Sequence, residues 1–470
     1  MSSLNALELE RDFWGRLLPS NGAASRAQSK DISGTPGWVL FRKAEHVRLH
    51  NIEIAKHRII RNARVDLVGH ISHPALKNLY GELAITLVAG RNGSGKSSLL
   101  SYVAQVFHHL ERSPEKIPGC FSIEYSLASE GSTVKCKVYR RSGDKAVRLE
   151  VAGRFDKAIT NHAPKRTGLR NGDILYADIK QYLPANVIVS AFSLSGEYPT
   201  ERVGNFGGDR RLNVFDVSKL YGFNHFAFPS LSPALARLME RWQRDPGAVT
   251  ALEVALGAKI TGEVLVRDRE RASYPSAEDE WVTFTPEILA QEAAGQIYIN
   301  DILMTNAQGS QLTLQKMSSG QKFLLVRIVS ILGVIQHNSL VIVEEPELHL
   351  DPTWSRQIIS LLVSFFKDYK SHLLIATHSF SLLNAVPSDW VLVADGGRFG
   401  QVRDNTLLAN ESSLAGLLYA ADSHVVEDRI RKYIHRASAD QLEALFHILG
   451  ESSTRYDVFR KIQAKTGRDA

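Results

Sequence analysis

Apolar and polar positions alternate along the first part of the chain in a way that predicts strands followed by one helix. Two segments, VRLHNIEIA (47–55) and ARVDLVG (63–69), alternate as half-buried strands do. The next segment, ELAITLVAG (82–90), is almost continuously apolar, which is typical of a strand buried on both faces. Apolar residues between 99 and 110 then recur at helical spacing. Three further alternating segments predict an antiparallel meander: 121–128, 133–140 and 146–152.

The later part of the chain alternates between predicted strands and helices. Apolar strands are predicted at 296–304, 339–344, 372–378 and 390–395, and helices at 320–336 and 355–369. Such alternation indicates an α/β fold with a parallel sheet. Between about 154 and 285, charged loops surround one helical stretch and one strand-like stretch. No heptad pattern runs through that region, so we expect a compact insertion and not a coiled coil.

These patterns predict one α/β unit whose mixed sheet combines an antiparallel N-terminal part with a parallel core. A compact α/β insertion interrupts the unit, and a helical C-terminal tail follows it. The predicted boundaries are an N-terminal helix and loop (1–36), the first half of the core (37–153), the insertion (154–290), the second half of the core (291–400) and the tail (401–470).

Composition narrows the class of protein that these elements can form. Only Cys120 and Cys136 occur in 470 residues, which excludes a disulfide-stabilised scaffold and a four-cysteine zinc site. The longest apolar stretch, 323–343, is interrupted by polar residues such as Arg327, so we expect no membrane span. The first residues lack the basic-then-apolar order of a signal peptide. We therefore expect a cytoplasmic protein with no membrane partner.

Charge leaves a nucleic-acid partner open. Lys plus Arg total 56 against 50 Asp plus Glu, a net charge of +6, and the basic residues cluster in four short runs. Such runs fit either a face that contacts DNA phosphates or ordinary solvated loops, and the sequence does not decide between them. The runs are 56–64, 137–145, 162–170 and 207–212.

A glycine-rich loop joins the buried strand at 82–90 to the helix that follows it. Its sequence, GRNGSGKS (90–97), satisfies the pattern GxxxxGK[ST] at every fixed position. Backbone N–H groups of such a loop surround phosphate oxygens, and the following helix adds the positive end of its dipole. Lys96 is suited to contact the β- and γ-phosphates and Ser97 to bind Mg²⁺. The predicted nucleotide contacts are Asn92, Gly93, Ser94, Gly95, Lys96, Ser97 and Ser98.

Two adjacent carboxylates, Glu344 and Glu345, follow the predicted strand at 339–344. In open α/β sheets, ligands bind at the carboxyl ends of the strands. One carboxylate there can hold Mg²⁺ while the next orients or deprotonates an attacking water. Such a pair is often only a polar loop, but its combination with a phosphate loop favours the catalytic interpretation.

Two further motifs lie beside this sheet. Met317-Ser318-Ser319-Gly320-Gln321 precedes a long helix, and its hydroxyl-rich start is suited to capping or to binding an anion. Further on, Thr377-His378-Ser379 ends the strand HLLIA, which predicts that His378 lies at the same edge as the carboxylates.

With these motifs in this order, the sequence resembles the ATP-binding-cassette (ABC) ATPases. GRNGSGKSS resembles the Walker A loop, MSSGQ the LSGGQ signature, VIVEEPE Walker B, HLDP (349–352) the D-loop, and ATHS the switch histidine. The motif EEPELHLDP is similar to the motif in the branch of this superfamily that contains the OLD-family, RecF-like and SMC-like ATPases. Compact members without a coiled coil include ATPase subunits of bacterial anti-phage systems such as Septu.

The resemblance implies ATP and Mg²⁺ as cofactors and a role for each motif residue. Glu345 would be the base or water-orienting residue, His378 would sense the γ-phosphate, and Glu344 would bind metal where most relatives have aspartate. The strand at 186–193 occupies the region of the family's Q-loop, but no glutamine is placed there. The signature residues would contact ATP held by a second subunit, with a coupling residue in the D-loop: Ser318, Ser319, Gly320, Gln321 and Asp351.

One phosphate loop and one signature per chain predict a head-to-tail homodimer, or a higher oligomer, around ATP. The resemblance implies an ATPase sensor or regulatory subunit in DNA repair or anti-phage defence that controls a separately encoded effector, a nuclease. One alternative is the energising subunit of a membrane transporter, which association with the membrane fraction would favour. Another is an SMC-like ATPase that tethers DNA, although the missing coiled coil removes its lever arms.

Overall fold

The computed structural model describes most of the chain beyond residue 45. The chain divides into two units, Met1–Phe41 and Arg42–Ala470, and every described residue belongs to the second. The predicted N-terminal helix and the basic run at 162–170 lie outside the described residues. The described residues are 46–55, 57–60, 63–67, 79–81, 83–129, 132–152, 155–160, 174–175, 179, 181–191, 198, 212–216, 231–269, 279–402, 404–409, 414, 425–449 and 453–466.

The strands of the described residues are numbered in chain order. They are β1 (His46–Ala55), β2 (Ala63–Asp66), β3 (Ala84–Gly90), β4 (Cys120–Ser129), β5 (Ser132–Arg140), β6 (Arg148–Val151), β7 (Phe155–Thr160), β8 (Ile174–Leu175), β9 (Val187–Ala191), β10 (Leu212–Asp216), β11 (Ala258–Asp268), β12 (Glu280–Thr283), β13 (Ile297–Asn306), β14 (Gln311–Leu312), β15 (Leu340–Glu344), β16 (His372–Thr377), β17 (Val391–Asp395) and β18 (Arg398–Gln401).

The helices are numbered in the same way. They are α1 (Lys96–Arg112), α2 (Ser232–Arg244), α3 (Pro246–Leu256), α4 (Pro286–Ala293), α5 (Ser319–Leu332), α6 (Pro352–Phe366), α7 (Phe380–Leu383), α8 (Val425–Arg436), α9 (Ala439–Ile448) and α10 (Ser453–Thr466). Short 3₁₀ turns lie at Pro114–Lys116, Leu314–Lys316, Lys367–Tyr369 and Ser388–Trp390.

The central sheet has the strand order β10-β9-β15-β16-β3-β17-β18. All of its neighbouring pairs are parallel except β17 and β18. Strands β3, β9, β15 and β16 are buried along their whole length, which explains why the sequence shows them as nearly continuous apolar runs. Helix α1 packs against β3 and β16, and α5 packs against β9. The predicted parallel core is confirmed.

A second sheet, in the order β2-β1-β4-β5-β6-β7-β8, forms the predicted antiparallel part of the fold. Only its β7–β8 pair is parallel. His372 of β16 connects this sheet to the central one: the Leu49 N–H of β1 donates to its Nδ1 at 3.0 Å, and its Nε2 lies 2.9 Å from the Thr86 hydroxyl of β3. Because Nδ1 accepts, the ring proton is on Nε2, and burial lowers the pKa of His372 to about 3.

A third sheet, in the order β12-β11-β13-β14, lies within and beyond the predicted insertion. The structure corrects the idea that 154–290 is one separate subdomain. Strands β9 and β10 of that range belong to the central sheet, and β11 pairs with β13, which lies beyond residue 290. Helices α2 and α3 share one hydrophobic core with β15 and α5. The pairing partners are distant in sequence, so local patterns did not reveal them.

The predicted helical tail is confirmed for its described residues, which form α8, α9 and α10. These helices have a small hydrophobic core of their own, made by Ile434, Ala437, Leu442 and Val458. Ser438 caps α9, since the Gln441 N–H donates to its hydroxyl at 3.3 Å. Across the described part of the chain, no helix is both long and apolar enough to cross a membrane.

Candidate nucleotide site

The phosphate loop lies between the buried end of β3 and the start of α1, in the strand–loop–helix context that the sequence predicts. A Cβ on Gly90 would lie 2.4 Å from the Ala394 carbonyl oxygen and 2.9 Å from Ser94 Oγ, so a side chain there has no room. Gly95 has φ +102°, a conformation that other residues rarely adopt. Among the described residues, the buried hydroxyl of Ser94 has no hydrogen-bond partner. This cradle therefore combines a backbone conformation that favours glycine with an unsatisfied hydroxyl, which suits an anion.

Lys96 is the buried cation of this loop, with only 5% of its surface exposed. Its ammonium donates to the carbonyl oxygens of Gly90 at 2.8 Å and Arg91 at 2.9 Å. Burial lowers the pKa of Lys96, while the nearby carboxylates, Glu345 foremost, act to raise it. Lys96 is therefore a desolvated positive charge within the electrostatic range of the carboxylates.

Strand register explains why the phosphate loop and the carboxylates meet at one edge. Glu344 at the end of β15 pairs with Ala376 of β16, which in turn pairs with Val88 of β3. The next residue, Glu345, leaves β15 with φ +42°, and its N–H donates to the Ala376 carbonyl oxygen at 2.8 Å. A non-glycine residue in this conformation costs of the order of 1–3 kcal/mol, and such strain tends to occur at functional sites.

His378 lies between two carboxylates at the end of β16. Its Nδ1 is 3.7 Å from Glu345 Oε1 and 3.5 Å from Glu347 Oε1. Glu347 is buried, and its Oε1 accepts hydrogen bonds from the Thr377 hydroxyl at 2.6 Å and from the His378 N–H at 3.2 Å. The structure therefore brings His378 and Glu345 together, as expected from the sequence. It also places Glu347 as the residue that fixes the end of β16. In the sequence, the signal for Glu347 is its position in the EEPE motif.

Arg327 is a second buried cation that the sequence did not mark as a site residue. It lies in the middle of α5, and its Nη1 donates to the carbonyl oxygens of Ser190 at 3.1 Å and Glu344 at 3.0 Å. Burial lowers the pKa of Arg327 to about 10, against the opposing effect of the three carboxylates, Glu347 foremost. The available signal was a single arginine within the apolar run FLLVRIVSIL.

Tyr198, the one residue between β9 and β10 that the structure describes, also contacts this edge. Its hydroxyl donates to Glu344 Oε1 at 2.8 Å. The two residues are 146 positions apart. Spacing or periodicity could not have predicted this contact.

The signature segment forms the N-terminus of α5. Ser318 and Gln321 make a capping box, in which the Gln321 N–H donates to Ser318 Oγ at 3.3 Å and the Ser318 N–H to Gln321 Oε1 at 2.8 Å. Ser318 and Ser319 are exposed, whereas a Cβ on Gly320 would lie 2.8 Å from Trp354 Cζ3. Ser319 starts the helix eight residues before the mid-helix arginine, about 12 Å along the axis.

Asp351, the predicted coupling residue of the D-loop, is the N-cap of α6. Its Oδ1 accepts from the N–H groups of Thr353 at 2.7 Å and Trp354 at 3.2 Å. The side chain thus caps the helix, a structural role that differs from the predicted coupling role. Its coupling role stays a prediction.

The residues at this edge fit a nucleotide phosphate with Mg²⁺. The loop supplies a buried ammonium and a glycine cradle, and Ser97 lies in the first turn of α1. Glu344 supplies a carboxylate that is 9% exposed at the end of β15. Hydroxyl and carboxylate oxygens are hard ligands, which Mg²⁺ binds together with substrate phosphates and water. Among the described residues, no group of three or more His, Cys, Asp or Glu forms a separate metal site.

A comparison with protein families matches part of the chain. Residues 208–384 match the family described as "AAA domain, putative AbiEii toxin, Type IV TA system". The match includes the signature segment, the carboxylates after β15 and His378, and the phosphate loop precedes it. The chain is therefore similar to this family over the part of the core that carries these motifs.

Individual proteins are similar to this chain at low identity. It is 20% identical over 474 residues to the "Retron Vc95 probable ATPase" of Vibrio cholerae serotype O1 biovar El Tor, covering 86% of this chain and 90% of that protein. Among solved structures, the SMC head domain from Thermotoga maritima matches with a TM-score of 0.39 at 12% identity, covering 76% of this chain and 100% of that one. An SMC head bound to the C-winged helix domain of ScpA matches with a TM-score of 0.41 at 11% identity, covering 75% and 96%.

Proposed function

We propose that this chain is an ABC-type ATPase head that binds ATP with Mg²⁺ and hydrolyses it. The observation that carries the proposal is the meeting of three side chains at one edge of the sheet. Lys96 donates to the Gly90 carbonyl oxygen at the end of β3, and Glu345 and His378 follow β15 and β16, with His378 Nδ1 3.7 Å from Glu345 Oε1. Lys96 and the N-terminus of α1 would bind the phosphates. Ser97 and Glu344 would hold Mg²⁺, which neutralises phosphate charge when bound.

Glu345 is the residue best suited to orient or deprotonate the attacking water. Its carboxylate is partly exposed, while the strained backbone and the hydrogen bond to Ala376 fix where the side chain starts. His378 lies beside Glu345, and its backbone N–H donates to Glu347. A change at the γ-phosphate would therefore alter the contacts of both the Glu345 and the His378 side chain. This arrangement supports a general-base role for Glu345 and a sensing role for His378.

A head-to-tail dimer would complete the site. The signature N-terminus of α5 is exposed at Ser318 and Ser319, and an exposed helix N-terminus binds anions. The chain has one phosphate loop and one signature, so two copies could each give a signature to the ATP of the other. We propose that ATP binding closes this dimer, or a higher oligomer, and that hydrolysis opens it.

We further propose that this ATPase is a sensor or regulatory subunit of an anti-phage defence or DNA-repair complex, and that it controls a separately encoded nuclease. The support is the similarity to an ATPase named for a retron, over most of both chains. The helical tail, with α8, α9 and α10, is the segment that we expect to dock the partner. Co-purification of tagged protein from the native host tests this role, and recovery of no nuclease would contradict it.

Two substitutions test the ATPase assignment directly. Lys96→Ala should abolish ATP binding, measured by equilibrium dialysis. Glu345→Gln should bind ATP, accumulate as a dimer by light scattering, and release phosphate about 10²–10⁴-fold more slowly. Glu240→Gln, at a carboxylate that pairs with Arg244 on α2, is the matched control and should behave as the native protein.

Hydrolysis at the native rate by Glu345→Gln would contradict the role of that residue. A mass that stays monomeric with saturating ATP would contradict the dimer.

A further inference from the structure

A buried hydrogen bond joins Tyr198 to the acidic end of β15. Tyr198 is 3% exposed and Glu344 is 9% exposed, and the phenol hydroxyl donates to Glu344 Oε1 at 2.8 Å. This distance is close to the optimum for an O–H donor and an oxygen acceptor. A hydrogen bond to a carboxylate is stronger than one between neutral groups, especially where water is excluded.

The same carboxylate-bearing residue is also held through its backbone. Arg327 donates to the Glu344 carbonyl oxygen at 3.0 Å and to the Ser190 carbonyl oxygen at 3.1 Å. Ser190 is paired with Val343 in the register of β9 and β15. Tyr198 lies seven residues beyond Ala191, the end of β9. Backbone and side chain of Glu344 are therefore both anchored from the β9 side of the sheet.

The side-chain anchor matters because glutamate has one more rotatable bond than aspartate. An unrestrained Glu344 carboxylate would sample several rotamers, and ordering it during metal binding would cost free energy. A phenol ring fixed by burial removes that freedom before the ligand arrives. Outer contacts of this kind orient metal ligands and change metal affinity when they are removed.

We propose that Tyr198 is a positioning residue that holds the Glu344 carboxylate in the orientation in which it binds Mg²⁺ with ATP. The proposal rests on the proposed ATP-binding function and deepens it. It predicts that the tyrosine hydroxyl affects the contribution of Mg²⁺ to nucleotide binding, and not the folding of the head alone.

The test compares ATP affinity with Mg²⁺ and with EDTA, in the full chain carrying Glu345→Gln so that ATP is not consumed. Fluorescence titration with a labelled ATP gives the ratio of the two affinities. Tyr198→Phe removes only the hydroxyl. The ratio should fall about tenfold, because part of the free energy of the lost charge-assisted hydrogen bond is lost from metal binding. Tyr125→Phe, which removes a buried hydroxyl that donates to the Tyr182 carbonyl oxygen at 2.6 Å, should leave the ratio unchanged.

A double-substitution cycle separates positioning from a merely structural effect. If Tyr198 acts through Glu344, adding Tyr198→Phe to Glu344→Gln should lower the ratio by less than twofold further. Additive losses, or an unchanged ratio in Tyr198→Phe alone, would overturn the proposal. If the parent protein binds ATP equally with Mg²⁺ and with EDTA, or does not bind it, the proposed function itself is refuted and the positioning role with it.

Discussion

Replacing Arg327 by methionine tests whether the buried guanidinium fixes the turn that carries the carboxylates. Methionine keeps a long apolar stem within α5 but removes the two hydrogen bonds of Nη1, to the carbonyl oxygens of Ser190 and Glu344, and the longer one from Nη2 to the Glu345 carbonyl oxygen at 3.5 Å. The backbone of Glu345 follows at once, with its positive φ of 42°. The substitution therefore loosens the segment that positions the proposed base.

Two opposing effects set the change in stability. Each lost hydrogen bond from a charged donor costs about 1.5–3 kcal/mol, so the two short bonds of Nη1 cost about 3–6 kcal/mol, and the bond of 3.5 Å from Nη2 adds little. The pKa of Arg327 is lowered from 12.5 to about 10, because burial outweighs the attraction of the three carboxylates; this shift corresponds to a net cost of about 3 kcal/mol that methionine does not suffer. The net loss in the free energy of unfolding should therefore be about 0–3 kcal/mol.

The substitution should affect ATP turnover more strongly than it affects the free energy of unfolding. If the turn relaxes and releases about 1–3 kcal/mol of strain at Glu345, the active conformation becomes the minor one, and ATP turnover should fall about 5- to 150-fold. Urea denaturation measures the stability, and phosphate release under saturating ATP measures the turnover. Arg237→Met is the matched control, since Arg237 on α2 also donates to two carbonyl oxygens, Leu332 at 3.1 Å and Ile335 at 3.3 Å. It should lose stability without a change in turnover above twofold.

The reasoning would be refuted if Arg327→Met turned over ATP at the native rate. It would also be refuted if Arg237→Met and Arg327→Met lost turnover equally, because the effect would then follow from stability alone.

Two further predictions concern pH. The pKa of His372 in the folded state is lowered to about 3, so between pH 3 and 6.5 the unfolded chain binds one proton more than the folded chain. The free energy of unfolding should therefore fall as the pH drops from about 6.5 towards 3, by up to about 1.4 kcal/mol per pH unit. In denaturation curves, His372→Gln should remove that part of the acid dependence. Burial raises the pKa of Asp301 to about 6, so its charge destabilises the fold as pH rises from about 4 to 6. Asp301→Asn keeps the acceptor for the N–H groups of Ile302 and Leu314, and it should raise stability at pH 8 by about 1–3 kcal/mol; an equal or lower stability would contradict this.

The sequence alone determined the features that depend on neighbours within a few positions. The phosphate loop needs glycines and a lysine inside eight consecutive residues, and the capping box of α5 needs only Ser318 and Gln321. Continuous apolar runs marked β3, β15 and β16, because a strand buried on both faces has no polar side to show. Order of motifs along the chain was enough to identify the class of fold.

Only the tertiary structure decided which distant segments meet. β9 joins the central sheet beside β15, although it falls within the predicted insertion, because strand pairing depends on partners that local periodicity does not encode. The same holds for the hydrogen bond from the Tyr198 hydroxyl to the Glu344 carboxylate, and for the one from the Arg327 guanidinium to the Glu344 carbonyl oxygen. Chemistry-bearing residue types are visible in a sequence, but the contacts that orient them arise when strand order and helix packing bring remote positions within hydrogen-bond distance.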